Sequence, residues 1–282
     1  MSNKYAARSR HLGFTEEELA VSPYARFYNP ELAPLPEHVK EALLIGAQAS
    51  ELFPPVERAC DLQAAGYWPV ETGYTVAADG AVRICALTLM SRVTPVMWDW
   101  WFAWHGCDGD RYKLWHPRAH VDVGWADGRD DLVYIGRVSR VVEYIGPKLF
   151  NVAIRFVTPA TLGFDEQKLK ANGEVAICAR VGLAAAPVLT GWLVHHIRPI
   201  PGGSEMRTRI WMGGDNVRPL GMPGAVGGFL GRLAYRLQPL TDAQVNELIV
   251  HDNHEMNHLA GFLPELYAAF GPETSQNIKG RA

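Results

Sequence analysis

The sequence has little net charge and few cysteines, and these two features limit its possible partners and the compartment in which it works. With 27 basic and 30 acidic residues the formal charge is -3, so composition gives no electrostatic basis for binding nucleic acid or an anionic membrane. The four cysteines are scattered and form no CxxC pair, which predicts reduced thiols in a cytoplasmic protein.

Long apolar runs are also lacking. The longest, from Val181 to Val194, is too short to span a bilayer and contains Pro187. The first twelve residues are polar and basic and lack the apolar core of a secretion signal. We therefore expect no membrane partner. The chain is nevertheless long and apolar enough to bury a large core, since 48% of its 282 residues are hydrophobic.

One stretch near the C-terminus combines a helical pattern with metal-binding side chains. Thr241 and Gln244 have the spacing of a capping box, which marks a helix start. The stretch predicts one long helix from Thr241 to Ala269, kinked at Pro264. Its packing face is formed by Val245, Ile249, Met256, Leu259 and Leu263.

Two metal-binding patterns overlap in this helix. His254-Glu255-Met256-Asn257-His258 matches the H-E-x-x-H motif of zinc peptidases, where the histidines bind zinc and the glutamate is the base. At about 100° per residue, His254 points away from the packing face, whereas His251 and Glu255 share its flank. Both side chains are ordinary zinc ligands. We favour His251 and Glu255 as metal ligands over the peptidase arrangement. The alternative is that these residues have no function beyond forming a polar, solvent-exposed side of the helix.

The rest of the chain predicts an extension and a main domain. Residues 1–65 mix short helical pieces with proline-rich connections, and we expect them to cover the main domain or to build a homodimer contact. Residues 66–282 begin with two strands around a turn at Asp79 and an aromatic helix that opens at Pro95. Further strands are predicted at Val133–Ile145, Lys148–Val157, Glu174–Val181, Val188–Arg198 and Ser204–Met212, followed by a glycine-rich loop from Gly213 to Gly231.

This order predicts an α+β fold in which a curved antiparallel sheet wraps around the long helix and encloses a cavity. Zinc takes three or four ligands, so His251 and Glu255 need partners. Candidates are His116 or His120, in a predicted site loop, and Glu143, which is costly to bury unless it is paired or bound to metal.

Four segments resemble, in order, the 2,4-diacetylphloroglucinol hydrolases and phloretin hydrolases. They are Arg111–His120, Glu143–Gly146, His195–Arg198 with Gly203–Arg207, and His251 with Glu255. The resemblance implies a helix-grip (Bet v 1-like) fold with a small N-terminal part. It also implies zinc-dependent hydrolysis of an aryl–acyl carbon–carbon bond, which releases a phenol and a carboxylic acid.

The resemblance further implies roles for single residues. Four would be zinc ligands: His120, Glu143, His251 and Glu255. Tyr112 would bind a phenolic hydroxyl, and one of His195 and His196, which face opposite sides of a strand, would be the catalytic histidine.

Two positions depart from the family pattern. Val123 replaces a substrate-binding asparagine of the acetylphloroglucinol enzymes, and Trp211 or Ile210 occupies the place of a substrate-binding tyrosine. With Val123 and Trp211 as substrate contacts, we expect a different acyl or ring specificity. Two other functions fit less of the pattern: a helix-grip carrier of apolar molecules, and an H-E-x-x-H metallopeptidase.

Overall fold

The computed structural model describes residues 11–78, 80–221 and 240–279, with side chains described up to Gly271. Three sequence-based predictions therefore lie wholly or partly outside the described residues. They concern the polar N-terminus, the turn at Asp79 and the glycine-rich loop beyond residue 221. Within the described ranges, no helix is both long and apolar enough to cross a membrane.

Nine strands of the described chain form one antiparallel sheet. They are β1 Gly73–Val76, β2 Val82–Ser91, β3 His120–Trp125, β4 Val138–Ile145, β5 Lys148–Val157, β6 Val175–Leu183, β7 Val188–Ile200, β8 Gly203–Met212 and β9 Arg218–Pro219. The order across the sheet is β1-β2-β8-β7-β6-β5-β4-β3, and β9 pairs with β7. Tight hairpins at Gly146 and Gly202, both with positive φ, keep β4–β5 and β7–β8 adjacent.

Seven α-helices accompany the sheet in the described ranges. They are α1 Glu16–Val21, α2 Glu37–Ile45, α3 Pro95–Trp104, α4 Gly109–Trp115, α5 Glu166–Asn172, α6 Asp242–Ala260 and α7 Leu263–Lys279. The five aromatic side chains of helix α3 are buried as predicted, and Trp98 and Trp101 are both 0% exposed. Their rings pack against Trp115 of α4, which fixes α4 beside the sheet.

Helix α6 packs against the inner face of the sheet. The predicted capping box is present, since the Thr241 side chain accepts from the Gln244 backbone and Gln244 reaches back. Val245 and Ile249 pack on Ile84 and Ile210, whereas the later apolar positions enter the aromatic core. The predicted α+β helix-grip fold is therefore confirmed.

The C-terminal helix is not continuous, and that part of the prediction is wrong. Helix α6 ends at Ala260, and α7 begins at Leu263 with Pro264 as its second residue. Proline has no N–H to donate and is tolerated in the first turn, so Pro264 belongs to a helix start rather than a kink.

Two other elements differ from expectation. The segment predicted as a site loop is largely helix α4, which Asp108 caps by accepting from the Asp110 backbone. It leads directly into β3, a strand missed in the sequence. The strand expected from Val133 begins only at Val138, because the buried Arg137 side chain binds Asp127 and Asp131 and holds the preceding residues in a loop.

The N-terminal segment packs closely on the rest of the chain. The ring of Tyr24 meets Trp104 edge-on, and Gln63 exchanges two hydrogen bonds with the backbone of Asp165. The division into an extension (1–65) and a main domain (66–282), like the homodimer, remains a prediction.

Candidate active site

A cavity of about 300 Å³ lies between the inner face of the sheet and α6. Most side chains that line it are apolar, as is typical of sites for small organic molecules. Its polar groups gather mainly where α6 faces β4, and they include Tyr112, Glu143, His251 and Glu255.

Four side chains of the types that bind metals, His120, Glu143, His251 and Glu255, converge at this point. Nε2 of His120 lies 3.2 Å from Oε2 of Glu255 and 3.7 Å from Oε2 of Glu143. Nε2 of His251 lies 3.7 Å and 3.9 Å from the same two oxygens. Strands β3 and β4 pair His120 with Glu143, and one helical turn joins His251 to Glu255. The structure thus brings together all four side chains that the resemblance implied as ligands.

His120 is oriented as a metal ligand would be. Its Nδ1 lies 3.0 Å from the carbonyl oxygen of Tyr112, and the Tyr112 ring stacks on it at 3.8 Å between centroids. Its Nε2 is buried and has no hydrogen-bond partner among the described residues. With Nδ1 donating to a carbonyl, Nε2 keeps a free lone pair directed at the cluster. The hydroxyl of Tyr112 also donates to Glu143, which fixes that carboxylate.

The electrostatics of the cluster favour a bound cation. Burial raises the pKa of Glu255 well above its ordinary value, and the nearby Asp252 and Glu143 carboxyls raise it further. Burial also lowers the pKa of His120 well below its ordinary value, assisted by His251 and His116. A divalent cation would stabilise the carboxylates and requires neutral imidazoles, so the donor set fits a metal.

His116 packs against the ring of His251. It is buried, and its ring stacks on that of His251 at 5.0 Å between centroids. Its carbonyl oxygen accepts from the backbone of His120 at 2.8 Å. His116 therefore contacts two candidate ligands without joining the cluster.

The structure does not assemble the peptidase arrangement. Three of the four clustered side chains, His120, His251 and Glu255, have ligand atoms within 4.8 Å of one another, and among the described residues neither His254 nor His258 joins this group. His254 is half-buried against His116 rather than facing solvent as predicted, and His258 packs on Phe262. The H-E-x-x-H match therefore does not correspond to a metal site, because its two histidines lie in different surroundings and only its glutamate is in the cluster.

The histidine pair on β7 divides between the two faces of the sheet. His195 lines the cavity, with Nδ1 2.8 Å from the Thr208 hydroxyl oxygen and its ring against Phe102. Burial lowers the pKa of His195 to about 3, so the imidazole is neutral. His196 lies on the opposite face, where its Nε2 is 2.9 Å from Glu174. Of the two candidates, His195 is the one in the site.

The two expected substrate contacts do not line the cavity. Strand alternation directs Ile210 and Met212 inward, so Trp211 points to the outer face, where its indole donates to the Pro54 carbonyl oxygen at 2.9 Å. Val123 is buried in the aromatic core. The structure therefore contradicts Trp211 and Val123 as residues of the cavity wall, whereas Ile210, the alternative to Trp211, lines the cavity.

The sequence analysis missed several polar residues of the cavity, and two of them are buried with an unpaired oxygen. Asp252 and Ser139 are 4% and 2% exposed, and each has a buried oxygen without a hydrogen-bond partner among the described residues. The sequence signal was weak. Asp252 directly follows His251, and Ser139 shares the inward alternation of Val141 and Glu143 on β4.

The chain is similar to a known protein family and to known enzymes over most of its length. A model of the DAPG hydrolase PhiG domain matches residues 52–268. A 2,4-diacetylphloroglucinol hydrolase of a Pseudomonas species is 30% identical over 92% of this chain and 92% of that protein. A second enzyme of that name, from Pseudomonas protegens, is 29% identical over 92% of this chain and 88% of its own length.

A phloretin hydrolase of Eubacterium ramulus is similar to the same degree. It is 29% identical over 91% of this chain and 93% of its own length. The matched range contains the four clustered side chains, the cavity strands and all of α6. On this evidence the chain belongs to the DAPG hydrolase family.

Proposed function

We propose that the protein is a zinc-dependent hydrolase that cleaves the aryl–acyl carbon–carbon bond of an acylated polyphenol. The main support is the convergence of His120, Glu143, His251 and Glu255 at the wall of an apolar cavity. The names of the relatives give the substrate class, phenolic ketones of the acylphloroglucinol and phloretin type.

The cavity suits a neutral aromatic ketone. Its apolar walls bury a ring, whereas the ring hydroxyls need polar partners inside. Tyr112 reaches the cavity beside Glu143, to which its hydroxyl donates, and its hydroxyl oxygen accepts from a phenolic hydroxyl next to the scissile bond. This contact orients the carbonyl group towards the cluster.

When bound at the four side chains, zinc would polarise the ketone or activate a water molecule. A His/Glu donor set also accepts iron, cobalt or manganese, so the choice of zinc follows the family resemblance.

His195 moves the proton that the reaction requires. Its imidazole, which lines the cavity, takes a proton from the attacking water, and the water oxygen adds to the carbonyl carbon. As the carbon–carbon bond breaks, its electron pair passes to the ring carbon, and the imidazolium returns the proton there. Hydroxyl groups ortho and para to the acyl group make that carbon basic enough to accept it. The products are a carboxylic acid and a phenol, and His195 is regenerated.

Metal content is the first test. Elemental analysis of the purified protein should find about one zinc per chain. Glu143→Ala and His251→Ala should lose most of it, because each removes a clustered donor, whereas His254→Ala should retain it. Retention in His251→Ala together with loss in His254→Ala would refute the ligand assignment.

Activity is the second test. Phloretin and acylphloroglucinols should yield the free phenol and the acid by liquid chromatography. His195→Gln should lower kcat by about 10² to 10⁴, the usual contribution of general acid–base catalysis, and His196→Gln should change it little. A metal-free wild type that cleaves none of these ketones even after zinc is added would reject the hydrolase and favour an apolar carrier.

A further inference from the structure

A second cavity, of about 560 Å³, lies on the outer face of the sheet, opposite to the face that lines the candidate active site. Its position follows from the strand register. Arg180 on β6 pairs directly with Trp192 on β7, and Trp192 pairs with Trp211 on β8. Directly paired side chains share a face, and Trp211 points outward, so Arg180 and Trp192 do as well. We call this cavity, which is lined by Arg180, Trp192 and Arg218 of β9, the outer groove.

Arg180 is buried without a carboxylate partner. Four arginines are buried in the described ranges: Arg137, Arg180, Arg207 and Arg209. The other three all form ion pairs with aspartate or glutamate side chains. Arg180 is 8% exposed and forms no ion pair with any described residue. Since burying a guanidinium without a counter-charge is costly, an anion from outside the chain would stabilise Arg180.

A second cation in the outer groove increases this cost. Burial and the charge of Arg218 lower the pKa of Arg180 to about 10, so its guanidinium remains charged at neutral pH and repels that of Arg218. Glu57 and Asp215 also line the groove, but both side chains are exposed and neither pairs with Arg180. An oxyanion that binds both arginines would therefore relieve their repulsion.

The guanidinium of Arg180 is held in place before any ligand binds. Its Cζ lies 4.5 Å from the centroid of the Trp192 ring, and its Nη2 donates to the carbonyl oxygen of Asn216 at 2.9 Å. These contacts fix the side chain without neutralising its charge. A guanidinium can donate two parallel hydrogen bonds to one carboxylate, and a side chain that is already ordered loses little freedom on binding.

The remaining walls of the outer groove are apolar. Val56 and Leu189 line it beside the Trp192 ring, which favours an organic anion over an inorganic one. We propose that the outer groove binds a small organic acid, whose carboxylate contacts Arg180 and Arg218. The apolar body of the acid packs on the hydrocarbon and aromatic side chains. This site is separate from the cavity at α6 and does not depend on the reaction proposed there.

Calorimetric titration with simple anions tests the ligand class. Zinc-loaded protein is titrated with hexanoate, acetate and inorganic phosphate at one ionic strength and neutral pH. We expect hexanoate to bind with a Kd below about 1 mM, the affinity that its size allows. Acetate lacks the apolar body and phosphate cannot use the apolar walls, so both should bind at least tenfold more weakly, by roughly the gain from two buried methylenes.

Variants show whether the outer groove is the binding site. Arg180→Met removes the buried charge but keeps a long side chain, and it should raise the Kd for hexanoate at least tenfold, the usual effect of a lost hydrogen bond to a charged group. Arg218→Gln changes a half-buried residue, should also weaken binding, and replaces the first variant if that one fails to fold. Arg58→Gln is the matched control, because Arg58 is exposed, does not line the groove, and loses the same charge.

The outcomes decide the proposal. Weaker binding in Arg180→Met and Arg218→Gln, with an unchanged Kd in Arg58→Gln, supports it. No binding of hexanoate, or equal binding by the wild type and both groove variants, overturns it. Binding that survives in the groove variants but is lost in Glu143→Ala places the acid at the candidate active site and also overturns it. Phosphate that binds as tightly as hexanoate refutes the preference for an organic acid.

Discussion

Replacing Glu71 should destabilise the protein strongly, although Glu71 lies outside the active site. Its carboxylate binds Arg207 and Arg209, whose side chains are each 1% exposed on the outer face of the sheet. Glu71→Ala leaves two buried guanidinium groups without a counter-charge. Each retains one backbone carbonyl partner, Leu62 or Thr208. Breaking a buried ion pair costs about 3 to 5 kcal/mol, and we expect a loss of unfolding free energy in that range.

Urea unfolding followed by tryptophan fluorescence would measure this loss. A loss of this size corresponds to a decrease in Tm of roughly 10 °C for a chain of this length. Glu57→Ala is the control, because Glu57 is exposed and should change stability by less than about 0.5 kcal/mol. A Glu71→Ala variant within about 1 kcal/mol of wild type would show that the two arginines do not depend on this carboxylate.

The pH dependence of the same variant gives an independent check. Burial by itself would raise the pKa of Glu71, but hydrogen bonds and charge from Arg207 and Arg209 outweigh it, and the pKa lies below the ordinary value of 4.5. The carboxylate therefore stabilises the folded state above that value and loses its contribution as the pH falls through the folded pKa. The difference in unfolding free energy between wild type and Glu71→Ala should decrease below about pH 4.5. An increase of this difference on acidification would contradict this reasoning.

Three further outcomes follow from the described contacts. Trp211→Phe should lower stability by about 1 kcal/mol through its lost hydrogen bond and leave kcat/KM unchanged, since the indole is outside the cavity; a large kinetic effect would contradict that placement. Cys85 and Cys178, with pKa values raised by burial to about 11 and about 12, should react with a disulfide reagent only after unfolding; rapid reaction of all four thiols in the native protein would refute this. Gly106→Ala should cost about 1 to 3 kcal/mol, because a Cβ there would lie 2.5 Å from the Trp125 ring, and urea unfolding would show it.

The sheet and α6 were predictable because their side-chain periods are strong. Strand β5 occurs at the residues expected, and the capping box at Thr241 fixes the start of α6. The end of α6 before Leu263 was predicted as a kink within one helix. A proline is compatible with either a kink or the first turn of a new helix, and the local sequence does not distinguish the two. Strand β3 was missed because its alternation is interrupted by a register shift between His120 and Asp122.

Only part of the site could be predicted. The order of motifs indicated which side chains should meet at the cluster, and one helical turn accounts for His251 and Glu255. Alternation on β7 required one histidine to face inward, but the direction depended on pairing with β8 and on Thr208. The burial of Asp252 depends on which strands cover α6, which a helical period does not specify.

The proposed ligands come from two segments that lie more than a hundred residues apart, β3–β4 and α6. Without a cation, burial of the Glu255 carboxyl beside Asp252 and Glu143 disfavours its ionised form where α6 meets β4. A bound cation would stabilise the ionised carboxylates and would link the two segments through its ligands. Its binding free energy would then add to the stability of the fold, so that the metal supply of the cell would set how much folded protein persists as well as how fast it works.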